Sequence, residues 1–314
     1  MALKLGFIGF GEAGHGIVEG IVGRDEGELR PEIAVWDILF SDADRGAGLI
    51  DRAKALGVQA AGSPTEAMAG ADFVFSAVTT DQSLVAAKMI AADLPKGVIY
   101  LDLNSTSPGK KKAVAEVING AGGHMVEAAV MDSVPPHKHC VPMLLAGPKA
   151  LDTVARLAPL GMQLETLGGD VGQASTIKMC RSVFMKGMPA LLMECLVAAE
   201  VAGVRDTVLS SIGKTYPGID WEELATRSLA GTALHAGRRA GEMREVAVTL
   251  EELGVEPIMA PATADQLQAC ADLGLRELVE ARPPETLSDF LDHVRTATDA
   301  MLKTELKTGA KTSG

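Results

Sequence analysis

Short apolar runs alternate with amphipathic stretches along the first half of the chain. Leu3 to Ile8, Ile33 to Trp36, Phe73 to Val78 and Val98 to Leu101 have strand length. Ala13 to Gly23, Asp44 to Leu56, Asp81 to Ala91 and Pro108 to Asn119 space their apolar residues as helices do. Ser63-Pro64-Thr65-Glu66 is a capping box with proline at the first helical position. Met125 to Val130, Met143 to Ala146 and Met162 to Thr166 read as further strands. This alternation predicts a parallel, doubly wound sheet.

After about Gly168 the pattern changes. Ser175 to Ala202 is one long helical stretch, with Pro189 as an expected kink and Gly203 as its C-cap. Asp220-Trp221-Glu222-Glu223 is a second capping box, and Arg238 to Glu252, Ala262 to Asp272 and Leu287 to Leu306 are helical. No strand is expected there. The expected division is an α/β domain with a parallel sheet over residues 1–167 and an all-α domain over 168–303. The polar tail, 304–314, is expected to be loose.

The first strand runs directly into Gly9-Phe10-Gly11-Glu12-Ala13-Gly14, and a helix follows. A glycine fingerprint in this context marks a Rossmann-type dinucleotide site. Gly9 permits the tight turn, Gly11 clears space for the pyrophosphate, and Gly14 lets helix and strand approach. The pyrophosphate is expected on the free amides at the helix N-terminus. Asp37 ends the second strand, where a carboxylate accepts hydrogen bonds from the adenosine ribose. That favours NAD, since a 2′-phosphate meets a like charge. Arg45, just beyond, leaves NADP open, and a plain strand-end cap is the competing role for Asp37. Val78, Thr79 and Asn104, at later strand ends, are further candidate contacts along the same crevice.

Composition narrows the partners. The 314 residues are 47% hydrophobic and carry a formal charge of −12, which argues against nucleic acid or an anionic membrane surface. Four dispersed cysteines, Cys140, Cys180, Cys195 and Cys270, read as reduced thiols. The most apolar stretch, Met188 to Gly203, contains Glu194 and Glu200 and so reads as a buried helix. With no signal peptide ahead of the first strand, a cytoplasmic location is expected.

Lys178 stands near the start of the long helix, in Gly172-Gln173-Ala174-Ser175-Thr176-Ile177-Lys178. A lysine facing the crevice can relay a proton if burial or a neighbouring cation lowers its pKa. Arg181, one turn later, is placed to do that or to pair with a substrate carboxylate. A solvated surface lysine is the alternative. The chain from Leu5 to about Gly203 resembles the β-hydroxyacid dehydrogenase family, which includes 3-hydroxyisobutyrate and 6-phosphogluconate dehydrogenases. Gly6 to Gly14, Leu101-Asp102-Leu103-Asn104-Ser105-Thr106-Ser107-Pro108 and Gly172 to Lys178 carry the resemblance. It implies Lys178 as general acid/base, a helical second domain and a homodimer formed through that domain.

Several positions depart from the family pattern. The asparagine that usually follows the lysine is Arg181, Ala174 replaces a glycine, and the substrate-binding Ser-Gly-Gly aligns with Met131-Asp132-Ser133. Met185 replaces the glutamate of 6-phosphogluconate dehydrogenases, which disfavours oxidative decarboxylation. His235 to Met243 resembles an uncharacterised helical domain carried by 6-phosphogluconate-dehydrogenase-like proteins.

Met131, Asp132, Ser133, Arg181, His235 and Arg238 are thus the candidate contacts for a small anionic substrate. Arg238 and Arg239 either clamp that anion or pair with Glu242 and Glu245 along their own helix. His15 either faces the crevice or only occupies its helix's first turn. Pro135-Pro136-His137-Lys138-His139-Cys140 lacks a second ligand cluster, so no metal is expected; it reads as a loop or as a roof over the substrate pocket. The function expected is NAD(P)-dependent oxidation of a small hydroxy acid or related alcohol. An imine (C=N) reductase and a non-catalytic dinucleotide sensor are the alternatives. Imine reductases share the architecture but typically lack this lysine.

Overall fold

The computed structural model describes residues 2–24, 30–42 and 44–309. The chain divides into two compact units, Met1–Met179 and Cys180–Gly314.

In the first unit the order is β1 (Lys4–Ile8), α1 (Glu12–Val22), β2 (Glu32–Trp36), α2 (Gly46–Ala55), β3 (Gln59–Ala60) and α3 (Pro64–Met68). Then follow β4 (Phe73–Ser76), α4 (Ser83–Ile90), β5 (Ile99–Asp102), α5 (Pro108–Gly120) and β6 (His124–Val130). The single turn α6 (Val134–His137), β7 (Met143–Ala146), α7 (Ala150–Leu157) and β8 (Leu164–Thr166) complete the series before α8 (Gln173–Val201). The strands form one sheet in the order β3-β2-β1-β4-β5-β6-β7-β8. All pairs are parallel except β6 and β7. The sheet is thus the expected parallel, doubly wound one, with a single antiparallel pair. A parallel return needs a helical crossover, and the segment from Met131 to Pro142 supplies only α6 and a short 3₁₀ turn.

The central strands are buried on both faces, which is why they read as unbroken apolar runs. Leu5, Phe7, Val35, Phe73, Phe75 and Leu101 pack on one side; Ile8, Val74 and Tyr100 pack on the other. Phe7 and Phe75 stack across the β1–β4 pair with centroids 4.6 Å apart. The chain moves from β1 outward to β3 and then returns to β4 on the opposite flank. The carboxyl ends of β1 and β4 therefore form a topological switch point, where open α/β sheets bind ligands.

The second unit contains most of α8 with α9 (Arg205–Thr215), α10 (Trp221–Glu252), α11 (Met259–Asp272), α12 (Leu275–Ala281) and α13 (Leu287–Gly309). Leu192, Met193 and Leu196 of α8 enter its core with Leu229, Ala233, Leu275 and Phe290. Among the described residues, α8 is the one helix long and apolar enough to cross a membrane by length and composition. Gly203, at φ +67°, ends the α8 segment, with its amide on the Glu200 carbonyl and that of Val204 on Ala199.

Both N-caps form: Ser63 Oγ accepts from Glu66 N at 3.1 Å and Asp220 Oδ1 from Glu223 N at 3.0 Å, while the Glu66 carboxylate accepts from Gly62 N at 2.8 Å. The second opens α10, one 32-residue helix broken at His235 rather than a helix starting near Arg238. The tail expected to be loose is helical through Gly309, in keeping with the helix formers Lys303, Glu305, Leu306 and Lys307; residues 310–314 lie outside the described residues.

Candidate functional site

At the end of β1, Gly9 adopts φ +95°, and a Cβ there would overlap the Ala77 carbonyl oxygen. Its amide donates to Trp36 O at 2.9 Å, so the turn is clamped between β2 and β4. A Cβ on Gly14 would overlap Gly9 O, which enforces close helix–strand packing. Gly11 differs: nothing lies within 4 Å of where its Cβ would be. It is the N-cap of α1 and provides no side-chain cap. Open space beside an uncapped helix N-terminus fits a pyrophosphate, whose charge the helix dipole and amides favour. Glu12 is exposed and Ala13 half-buried at the same turn. Phe10 is fully buried, edge-on to His15 (5.5 Å) and Phe40 (6.5 Å). Its side chain anchors the loop, and His15 belongs to that anchor.

Asp37 both caps its own loop and grips the fingerprint. Oδ2 accepts from Phe10 N at 2.7 Å and Oδ1 from Leu39 N at 2.9 Å. A carboxylate has about four acceptor sites, so capacity for ribose hydroxyls remains. Trp36 and Ile38, on either side of Asp37, line a cavity of about 340 Å³ with Phe40, Ile50, Ala61 and Ser63. Arg45 is exposed at the N-cap of α2.

A buried polar network fixes the next two strand ends. Asn104 Oδ1 accepts from Val78 N at 2.8 Å, while its Nδ2 donates to Asp102 Oδ1 at 2.6 Å and Ser76 Oγ at 3.0 Å. Asn104 therefore spends its side chain on the protein, shaping the crevice at Val78 instead of reaching into it. Thr79 is exposed at the rim. Asp102 pairs with Lys111 at 3.3 Å, both side chains essentially inaccessible, and Lys111 Nζ also donates to Asp102 O at 3.0 Å. Burial, then the Asp102 charge, pushes the Tyr100 hydroxyl far above its ordinary pKa. Lys111 sits amid Lys110 and Lys112, and the run hides it as a solvated face.

Lys178 lies beside that network. Its Nζ donates to Ser105 Oγ at 2.6 Å, and the side chain is half-buried. The start of α8 is held by Glu127 of β6, whose Oε1 accepts from Gly172 N and Ala174 N, both at 2.8 Å. Glu127 is fully buried, and its Oε2 has no hydrogen-bond partner. Ser175 and Thr176 hydroxyls fold back onto Gly172 O. The lysine thus projects from a helix start pinned to the sheet, which is why the boundary between the units falls inside α8.

Met131, just past β6, packs with Ala129, Ala146 and Ala174, the last of these in the first turn of α8. Met131 N donates to Pro142 O at 2.9 Å; Asp132 is exposed, caps Ser133 N at 2.7 Å and pairs with His137 at 3.4 Å. In the second unit, Arg181 is exposed on α8, His235 marks the break in α10, and Arg238 pairs with Glu242 at 3.2 Å. The 135–140 segment lies between β6 and β7. It packs on α1, where a Cβ on Gly20 would overlap the His139 ring and one on Gly16 would come 2.9 Å from Val134. Lys138 pairs with Glu19 at 3.2 Å, and Cys140 Sγ lies 3.4 Å from Gly161 O. Among the described residues no group of three or more His, Cys, Asp or Glu is placed to hold a metal.

Known proteins share this construction. Residues 4–106 match the family described as "NADP oxidoreductase coenzyme F420-dependent", and 199–270 match a helical domain of unknown function. A conserved hypothetical protein from Sinorhizobium meliloti 1021 is 36% identical, with 95% of this chain and 97% of that one covered and a TM-score of 0.72. The conserved protein MTH1747, of unknown function, is described as structurally similar to 3-hydroxyacid dehydrogenases. It is 31% identical over 86% and 97% of the two chains, with a TM-score of 0.67. This chain belongs to the β-hydroxyacid dehydrogenase family. Within that oxidoreductase family it falls in the subgroup carrying the uncharacterised C-terminal helical domain. The 3-hydroxyisobutyrate dehydrogenase of Mycobacterium tuberculosis, solved with L-serine, shares the fold at 17% identity, with 94% and 99% covered and a TM-score of 0.69.

Proposed function

We propose that this protein is an NAD(P)-dependent dehydrogenase of a small hydroxy acid or related alcohol, with Lys178 as its general acid/base. The hydrogen bond between Lys178 and Ser105 carries this reading, because it holds Nζ at the sheet end that also bears the glycine fingerprint. Gly11 and the N-terminal turn of α1 would hold the pyrophosphate, and Asp37 the adenosine ribose. The carboxylate of Asp37 favours NAD over a 2′-phosphorylated cofactor. The nicotinamide, when bound, supplies hydride exchange with the substrate carbon. Lys178 handles the matching proton: neutral Nζ accepts the substrate hydroxyl proton during oxidation, and the ammonium returns it during reduction.

The test is a screen of hydroxy acids and sugar acids with both cofactors, followed by nicotinamide absorbance, on the wild type and Lys178→Ala. The variant is expected to keep dinucleotide affinity and lose about 10²–10⁴-fold in turnover. Turnover that survives the substitution removes the lysine from the mechanism.

A further inference from the structure

α10 breaks at His235, whose backbone (φ −125°, ψ 16°) leaves the helical region. Across the break, Arg239 Nη1 donates to Thr232 Oγ1 at 2.9 Å, although seven residues separate them. Two other cations lie around Glu242, one turn further on, and both carboxylate oxygens are engaged. Oε1 pairs with Arg238 at 3.2 Å and Oε2 with Lys186 at 3.1 Å. Lys186 and Glu242 are largely buried there, with side-chain exposures of 15% and 13%.

Arg239 is the cation this arrangement leaves over. It is half-buried, and its hydrogen-bonded partner among the described residues is a neutral hydroxyl. A guanidinium carries five N–H donors, and Thr232 takes one. Burial pulls its pKa below the ordinary value; the Glu242 carboxylate opposes that shift and the Arg238 charge adds to it. Withdrawing a charge from water without a bonded counter-ion is unfavourable. A planar fork with unused donors matches the two oxygens of a carboxylate or phosphate. On a protein of net charge −12, an anion needs a local cluster of cations to hold it.

We propose that Arg239, at the break in α10, anchors an oxyanion site in the helical unit, seating the carboxylate or phosphate group of a small ligand, with Arg238 adding to the positive field. The site stands on the second unit alone and does not depend on the role of Lys178.

The experiment is thermal unfolding of the full chain in sodium phosphate, in sodium acetate and in sodium chloride of matched ionic strength. Wild type, Arg239→Met, Arg239→Lys and Arg238→Met are compared. Phosphate or acetate should raise the wild-type Tm by roughly 2 °C or more over chloride, and the larger shift identifies the head group. Arg238→Met and Arg239→Lys should respond more weakly than wild type and Arg239→Met not at all. In chloride, Arg239→Met should be no less stable than wild type, because it removes an unpaired charge while keeping the volume. The proposal is overturned if neither anion exceeds chloride, or if Arg239→Met responds as the wild type does. Should Arg239→Met fail to fold, an undiminished response in Arg239→Lys overturns it equally.

Discussion

Lys178 Nζ meets Ser105 Oγ at 2.6 Å across 73 residues of sequence. The usual asparagine three residues after this lysine is Arg181 here, so Ser105 supplies a side-chain partner from a different element. A hydroxyl that receives the ammonium restrains a side chain with several rotatable bonds and keeps Nζ aimed at one point. Ser105→Ala should lower kcat about 10-fold or more with the KM for the dinucleotide unchanged. Ser105→Thr, which retains a hydroxyl, should recover most of the loss. Steady-state kinetics of both variants decide it, and an equal loss in Thr and Ala assigns Ser105 to packing alone.

Glu127 holds the platform under that lysine. Its one bonded oxygen receives two amides, from Gly172 and Ala174. Glu127→Ala strands two buried donors and should cost about 2–4 kcal/mol. Glu127→Gln keeps an acceptor and should cost less. Urea unfolding gives the stabilities. Equal stability for Ala and wild type would mean that those amides find other partners.

The parts legible in the sequence are those encoded locally. Strand runs, both N-caps and the glycine turn depend on neighbours a few residues apart. The direction of β7 was not legible, because it depends on the 131–142 segment docking against Gly16 and Gly20 of α1. α9 has no buried residue and therefore left no apolar period to find. In the site, Lys178 stood out through its motif, whereas Ser105, Glu127 and the Asp102–Lys111 pair matter through contacts that cross elements. Arg238 and Arg239 are adjacent in sequence, yet roughly 100° apart around a helix. The fold turns Arg238 outward and Arg239 inward.

The three fingerprint glycines should separate cleanly by substitution. At Gly11 a methyl group meets open space, so Gly11→Ala should fold with nearly wild-type stability and lose dinucleotide affinity because the pyrophosphate needs that space. At Gly14 the methyl group overlaps Gly9 O, and at Gly9 it also requires φ +95°. Both of those variants should lose stability, by about 1–3 kcal/mol. Paired Tm and NAD-titration measurements check this. Undiminished binding by Gly11→Ala would place the pyrophosphate elsewhere.

Alkaline stability gives a test of the second unit's core. Burial pushes the Cys270 thiol up to about 11 from its ordinary 9.0. Below pH 9 the thiol is protonated in both folded and unfolded chains, and its contribution is complete. Between pH 9 and 11 the unfolded chain releases a proton that the folded chain keeps, so stability falls as pH rises. Tyr100, raised in the same sense in the first unit, adds its own loss only above its ordinary 10.0. Between pH 9 and 10 the thiol therefore dominates this pair. Cys270→Ala lacks the proton, so its stability deficit relative to wild type should shrink by about 1 kcal/mol across that interval. Urea unfolding at pH 8, 9 and 10 measures it, and parallel pH curves for the two proteins would refute the buried-thiol origin.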